Sequence, residues 1–251
     1  MVPRPGIEAL ANTTVVLVEP MYGGNLGSVG RAMANFGLRR LVLVNPAPGI
    51  FDDEALGPMA RTAVDLVRDA AVVPTLEDAL AETELALGFT TRTGRRRRDG
   101  LDLRPAVERV RGEFSGTRVA AVFGREDRGL TNAELDLCHW LVRIPTDPGL
   151  ASLNLAQAVA LFAYEVHEAC RAALPPNPTP RHVATVSEME GFYAQLSSVL
   201  TRIGFIEEKS PDRMMNELRR IFSRRLPEPR DVRILRGILS KVELALARER
   251  Q

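Results

Sequence analysis

Residues Thr14 to Asn45 read TVVLVEPMYGGNLGSVGRAMANFGLRRLVLVN. TVVLVE is a short β-branched, aliphatic run. A glycine-rich turn follows, then a helical pattern from Asn25 to about Phe36, then a second apolar run, RLVLVN, from Arg40 to Asn45. Apolar runs without polar alternation suit strands covered on both faces, and a helix between two of them is the connection that parallel strands require. Outward from this unit the spacing predicts helices over about Glu54–Arg68 and Leu76–Ala81. Strands follow at Leu85–Phe89, Val119–Phe123 and Leu141–Ile144, and a long helix from Leu153 to Ala173 closes the series. The expected fold is α/β, a parallel sheet with helices on both faces, over residues 1–173.

Leu174–Pro180 (LPPNPTP) holds four prolines in seven residues, which neither a helix nor a central strand accommodates, so residues 174–180 are expected to be a semi-rigid linker. Beyond it, over residues 181–251, the pattern is purely helical and predicts a small all-α domain. Ser187 and Glu190 have capping-box spacing at the head of one helix; Pro211 suits the first turn of a second and Pro229 that of a third. In the second, Met214, Met215, Leu218, Ile221 and Phe222 share a face, with Arg213, Arg220 and Arg224 roughly opposite. In the third, Val232, Leu235, Leu239, Val242 and Leu246 form the apolar stripe, with Arg230, Arg233, Lys241 and Arg248 on the other side.

With 45% hydrophobic and 26% charged residues, the 251-residue chain can bury a full core, which excludes a disordered, collagenous or fibrous class. Its net charge of +1 conceals an asymmetry: residues 1–180 carry 19 cationic and 22 anionic side chains, residues 181–251 carry 14 and 10. Every cation except Lys209 and Lys241 is arginine, the side chain suited to bidentate phosphate contacts. Such a basic helical exterior fits either RNA contact or an ordinary solvated face. Cys138 and Cys170 lie 32 positions apart without a Cys or His partner at zinc spacing, so neither a disulfide scaffold nor a metal site is expected. Met1–Ala11 lacks the apolar run of a signal peptide, and no run of about 18 residues is free of polar groups; a cytoplasmic protein without membrane association is expected.

Three motifs stand at predicted strand ends, where ligands bind in open α/β sheets. Pro20–Ala34 (PMYGGNLGSVGRAMA) places Gly23, Gly24, Gly27 and Gly30 between a strand and a helix, with Arg31 on that helix. The spacing is neither GxGxxG nor a Walker A loop, which weakens a dinucleotide site and a P-loop alike; Gly27 and Gly30 also suit close helix–sheet packing. Val122–Asn132 (VFGREDRGLTN) runs from a strand into Gly124, four consecutive charges and Gly129, then a capping box from Thr131 to Glu134. Ile144–Ala156 (IPTDPGLASLNLA) is a Pro-Gly loop leading to Ser152, Leu153 and Asn154 at a helix start, where Ser152 and Asn154 also suit N-capping.

Taken together, in this order and separation, the motifs resemble the SPOUT superfamily of S-adenosylmethionine-dependent RNA methyltransferases. Within it the chain is similar over nearly its whole length to the TrmJ-like subfamily, tRNA 2′-O-methyltransferases acting on the pyrimidine at position 32 of the anticodon loop. Asn25, Gly27 and Arg31 match the first family motif, Gly124, Glu126 and Gly129 the second, and Ser152, Leu153 and Asn154 the third. Ile203–Phe205 (IGF) and Ile234–Glu243 (ILRGILSKVE) also resemble that subfamily's C-terminal extension.

The resemblance implies a C-terminal trefoil knot, contrary to the general avoidance of knots, and a homodimer whose active site draws on both subunits. It implies S-adenosylmethionine held in the knot by backbone groups of three loops: Phe89, Thr90 and Thr91; Gly124; and Ile144 with Ala151, Ser152 and Leu153. It assigns Arg31 as catalytic, with Ser152 and Asn154 holding the ribose or the methionine end of the cofactor and Glu126 keeping arginines in place. A guanidinium stays protonated throughout the working pH range, so the expected role of Arg31 is to orient phosphate and stabilise the developing alkoxide. RNA contacts are expected from Arg92, Arg95, Arg96, Arg97 and Arg98 beside the cofactor loop, and from Arg220, Arg224 and Arg233 in the helical domain. TrmJ-like chains often carry two arginines one residue apart, whereas here Thr93 and Gly94 follow Arg92, which leaves open which of Arg95–Arg98 supplies the second. A SPOUT enzyme with another tRNA or rRNA target, a non-catalytic RNA-binding module, and a nucleotide-binding Rossmann domain remain alternatives at this level.

Overall fold

The computed structural model describes residues 12–52, 56, 63–92, 100–114, 116–171, 183–206, 211–224 and 227–248. The opening stretch forms β1 (Thr13–Val18), α1 (Gly23–Asn35) and β2 (Arg40–Val44), with Thr14 paired to Arg40 and Val18 to Val44 in parallel register. There follow α2 (Val64–Arg68), β3 (Ala71–Val73), α3 (Leu76–Leu80), β4 (Leu85–Phe89), β5 (Leu101–Asp102) and α4 (Leu103–Glu113). Then come β6 (Val119–Phe123), α5 (Asn132–Asp136), β7 (Trp140–Arg143), a 3₁₀ turn at Pro148–Leu150 and α6 (Leu155–Arg171). All strand pairs are parallel, in the order β3-β2-β1-β6-β4-β7-β5. Every residue of β4 and β6 is buried, which is why these strands read as unbroken apolar runs. The order also sets β6, β4 and β7 side by side, so the loops leaving their carboxyl ends converge.

Two strands and one helix escaped the sequence reading. β3 and β5 span three and two residues, too short for a periodic signal. α4 carries Pro105 and several charges, yet Pro105 sits in the first turn, where a missing N–H costs nothing, and Leu103, Ala106 and Val107 are buried. Of the helix expected over Glu54–Arg68, Val64–Arg68 is described and most of the remainder lies outside the described residues. Gly30 serves helix–helix rather than helix–sheet packing: a Cβ there would meet Val67 Cγ2 of α2 at 2.4 Å.

The chain divides into two compact units between Arg181 and His182, and the expected linker at 174–180 lies outside the described residues. The second unit holds α7 (Val186–Arg202), α8 (Pro211–Arg224) and α9 (Pro229–Arg248). Phe192, Val199, Met215, Val232 and Leu239 form its core, with Leu218, Phe222, Leu235 and Val242 packed against them. Met214 and Ile221, expected on the apolar face of α8, are instead exposed at its margin. The capping box of α7 is Thr185 with Glu188 rather than Ser187 with Glu190, and Glu190 pairs with Arg219. The helix therefore begins earlier, and Glu190 is left to bridge α7 to α8.

His139 yields a pH-dependent stability. Its Nδ1 accepts the Ala86 N–H at 2.9 Å while the His139 backbone N–H donates to the Ala86 carbonyl, and burial pushes the imidazole pKa from 6.5 down to about 4. The folded chain thus holds His139 neutral while the unfolded chain takes up a proton near pH 6.5, so stability is complete above 6.5 and falls as pH drops toward 4. Urea titrations between pH 7 and 4.5 are expected to show this loss, and His139→Asn, which keeps an acceptor near the Nδ1 position, is expected to flatten it.

Candidate active site

The converging loops enclose a cavity of about 330 Å³. Beneath it Phe89 at the end of β4 stacks on Phe123 at the end of β6, with ring centroids 4.2 Å apart, and Phe162 of α6 meets Phe89 edge-on at 5.4 Å. Thr90, Thr91 and Arg92 form one wall, the turn from Gly124 to Leu130 a second, and Ile144, Ser152 and Leu153 a third. The second wall folds back on itself: the Gly129 N–H donates to the Arg125 carbonyl at 2.9 Å, and Gly129 adopts φ +68. A Cβ on Gly124 would lie 2.2 Å from backbone atoms of Gly129 and Leu130, so only glycine closes this turn. The walls carry small residues (Thr90, Thr91, Gly124, Gly129, Ser152) together with the charged Arg92, Glu126, Asp127 and Arg128 around an apolar floor, a surface that suits a flat heteroaromatic ligand bearing polar groups.

Arg125, next in the turn, is buried and bound to two carboxylates. Its Nε donates to Glu19 at 2.6 Å, and its two terminal nitrogens donate to Glu134 at 3.0 and 2.9 Å. These hydrogen bonds raise the Arg125 pKa and hold the Glu19 carboxyl below its ordinary range. Burial opposes the charge on Glu134, but hydrogen bonds from Arg125 and Thr131 outweigh it and keep that carboxyl low as well. Glu19 itself follows β1 at φ +45, a conformation unusual for a residue with a Cβ.

Glu126 points the other way, toward α1. Tyr22, the N-cap residue of α1, offers no side-chain cap. The Glu126 carboxylate fills that place, accepting the Met21 N–H at 3.1 Å, the Tyr22 N–H at 3.4 Å and the Asn25 side-chain amide at 3.0 Å. Asn25 in turn accepts from Asn154 Nδ2 at 3.0 Å, and Asn154 Oδ1 accepts the Ala156 N–H at 2.9 Å at the head of α6. A continuous chain, Glu126–Asn25–Asn154, thus ties all three motifs together beside the cavity.

A family match covers the same elements. The sequence model of the SpoU rRNA Methylase family matches residues 12–164, and that of the tRNA methyltransferase TrmJ C-terminal domain matches residues 187–251. The chain belongs to the SpoU methylase family. It is 43% identical over 238 residues to the tRNA (cytidine/uridine-2′-O-)-methyltransferase TrmJ of Citrobacter koseri, covering 93% of this chain and 97% of that one. It is 42% identical to the TrmJ of Escherichia coli K12, covering 93% and 96%. Among solved structures, TrmJ from Z. mobilis ZM4 superposes with a TM-score of 0.78 at 29% identity over 92% of this chain and 99% of that one. A probable methylase family protein from Haemophilus influenzae Rd KW20 gives 0.61 at 33% identity over 95% and 98%.

For this SpoU family member, the structure gathers most of the residues singled out in the sequence. Phe89, Thr90, Thr91, Gly124, Ile144, Ser152 and Leu153 all line the cavity, as do Glu126 and Arg92. Ala151 does not; its carbonyl accepts from Thr146 Oγ1 and so braces the third loop. Arg31 is exposed on α1 and is not among the cavity-lining residues of its own chain. Contrary to the expectation, among the described residues Glu126 bonds to the head of α1 rather than to an arginine, and Glu19 and Glu134 hold Arg125. Arg95, Arg96, Arg97 and Arg98 lie outside the described residues, as does the side chain of Arg224. Arg220 pairs with Glu217 at 3.2 Å, while Arg233 is exposed on α9. The part played by Glu19 was missed, although a charged residue closing an otherwise apolar strand was the available signal.

Asn154 separates capping from linkage. Asn154→Asp keeps the Oδ1 acceptor, and Asp caps helices as well as Asn does, but it removes the Nδ2 donor and sets a carboxylate against Asn25 Oδ1. Thermal melting is expected to shift by less than about 2 °C, while methyl transfer falls about tenfold or more, matching the loss of one hydrogen bond of about 1.4 kcal/mol. Unchanged methyl transfer in Asn154→Asp would show that capping is its whole role.

Proposed function

We propose that the chain is a tRNA ribose 2′-O-methyltransferase that moves a methyl group from S-adenosylmethionine to the 2′-hydroxyl of the pyrimidine at position 32 in the anticodon loop. The observation that carries this reading is the cavity walled by backbone groups directly beside the Glu126–Asn25–Asn154 chain: one part suits an adenosyl group, the other a ribose. The names of the TrmJ relatives supply the substrate class, and the C-terminal match supports the subfamily and hence the position. A neighbour whose structure concerns 2-OH methylation of C/U34 on tRNA superposes with a TM-score of 0.51 at 25% identity, but over only 64% of this chain. It favours a second reading, another tRNA position, on a smaller share of the molecule.

The residues present fit S-adenosylmethionine. Backbone groups of Thr90, Gly124 and Ile144 would hold its adenosine over the Phe89–Phe123 floor, and Ser152 with Leu153 the remainder. When bound, it supplies a methyl group already activated by a sulfonium leaving group. The chain's own contribution is placement: Ser152 and Asn154 orient the ribose so that its hydroxyl faces the methyl in line, and Asn25 and Glu126 keep Asn154 from turning. Arg31 binds the adjacent phosphate and stabilises negative charge as it develops on the 2′-oxygen.

Because Arg31 does not line its own chain's cavity, the active unit is a homodimer in which Arg31 of one protomer serves the cavity of its partner. Exposed Met21 and Tyr22 at the head of α1, and Leu161 and Tyr164 on α6, which packs against α1, provide apolar surface for such a contact. The knot that the resemblance implies belongs to this reading, since the strands that carry the cavity loops, β6, β4 and β7, lie adjacent though far apart in sequence. Arg92 at the cavity rim and the basic helical unit extend the RNA contact. A tRNA substrate supports a cytoplasmic location; among the described residues no helix is long and apolar enough to cross a membrane and no group could hold a metal ion.

The test is methylation of whole tRNA followed by mapping of the modified nucleotide. Modification at position 32 is expected, modification elsewhere selects the second reading, and no transfer overturns both. Arg31→Lys keeps the charge but loses the two-pronged grip. It is expected to lower methyl transfer by about 100-fold while tRNA affinity stays within about threefold; near-full activity would remove the assigned role.

A further inference from the structure

We propose that the outward face of α9 is the surface that docks the sugar–phosphate backbone of the tRNA, an inference that rests on the tRNA reading above. At 3.6 residues per turn, Arg230, Gly237, Lys241, Leu244 and Arg248 fall within a sector of about 60°, a row running about 27 Å along the helix. It lies away from Val232 and Leu239, which face the core. Arg233 and Ile234 flank it, and all seven residues are exposed.

The charges on this face differ from those on α8. On α8, Arg219 is bound to Glu190 and lies over the Tyr193 ring, and Arg220 is bound to Glu217. On α9, among the described residues, none of Arg230, Arg233, Lys241 and Arg248 is paired with a carboxylate; Arg233 Nε reaches only the Pro229 carbonyl at 3.4 Å. The two described carboxylates of α9 are turned elsewhere. Asp231 accepts the Glu228 N–H at the helix start, and Glu243 accepts from Gln195 Nε2 on α7. A row of three cations, flanked by Arg233 and without a carboxylate partner among the described residues, attracts a polyanion whose charges are themselves in a row.

Gly237 adds an independent sign. A glycine in mid-helix weakens the helix relative to alanine, so packing normally has to justify it. Here a Cβ would meet nothing within 4 Å. The position lies between Arg230 and Lys241, where the absent side chain leaves the helix backbone open to close approach by another backbone. Exposed Ile234 and Leu244 at its sides can contact ribose faces. They are separated by cations rather than joined into one patch, which suits a phosphate backbone better than a membrane or an apolar protein partner.

The experiment uses the full chain: wild type, the double variant Arg230→Gln/Lys241→Gln, and Gly237→Gln. Whole-tRNA affinity is measured across a salt series, with calorimetric S-adenosylmethionine binding and thermal melting alongside. The double variant is expected to bind tRNA about tenfold more weakly, with the slope of log K against log salt reduced by about 2, since each phosphate contact contributes about 0.9. Gly237→Gln is expected to melt higher yet bind about threefold more weakly, and S-adenosylmethionine affinity is expected to stay constant in both. Wild-type affinity and salt slope in both variants, from a chain that does methylate tRNA, would overturn this inference and leave the tRNA reading standing. Lack of tRNA binding by the wild type overturns both together. Loss of self-association, or of binding to vesicles containing phosphatidylserine, with tRNA affinity unchanged would reassign the face and overturn the inference.

Discussion

The two-sided clamp on Arg125 is the constraint on which the rest of the site depends. A guanidinium only 6% exposed has to be fully bonded, and Arg125 meets that condition by reaching Glu19 at the end of β1 and Glu134 in the first turn of α5. Removing the cation would leave Glu134, itself mostly buried, without its counter-charge, a change of about 3 kcal/mol or more in comparable pairs. The clamp thus joins the end of β1, the turn that leaves β6 and the first turn of α5. It also decides the direction of the next residue: with Arg125 turned inward, Glu126 is turned toward α1.

From that follows the arrangement of the chemistry. The tyrosine at the N-cap of α1 makes no side-chain cap, and the chain entering the helix is held instead by a loop more than 100 residues away in sequence, where Glu126 accepts the Met21 and Tyr22 N–H groups. The same carboxylate aligns Asn25, Asn25 aligns Asn154, and Asn154 caps α6. Each member satisfies a structural need of its neighbour, so the polar groups beside the cavity are held without a dedicated support. Such preorganisation matters for methyl transfer, where the leaving group is already activated and the protein's share of the work is geometry.

Much of this was legible in the sequence and some of it was not, for identifiable reasons. The central strands declared themselves because burial on both faces forces unbroken apolar runs, and the bounds of β4 and β6 agree with the reading to the residue. β3 and β5, at the sheet's edges, carry too few residues to show a period. The glycines of the second motif announced a turn, and Gly124 does admit no side chain there. What a linear pattern could not display was partnership. Glu126 and Glu134 were visible as charges, yet which positive group or amide each one served depended on the sheet order, which brings residues 19, 125 and 134 together. The early placement of the α7 capping box had the opposite failing: Ser187/Glu190 and Thr185/Glu188 have the same spacing, and only burial of Val186 and Met189 selects the second.

The same contrast sorts the arginines, which composition alone treated as one population. Those flanked by acids in space, Arg125 and Arg219, are structural. One fixes the Gly124–Leu130 turn, and the other fixes α8 to α7 through Glu190 and the face of Tyr193. Among the described residues, Arg230, Arg233, Lys241 and Arg248 of α9 have no carboxylate partner, and they share the side of the helix that also gives up a side chain at Gly237. A cation that stabilises a fold needs an anion from the same chain, whereas one that recognises an external polyanion has to be left without it. The near-neutral total charge therefore conceals two arrangements: arginines paired with acids in both units, and a single helix face of the second unit whose described cations have no carboxylate partner.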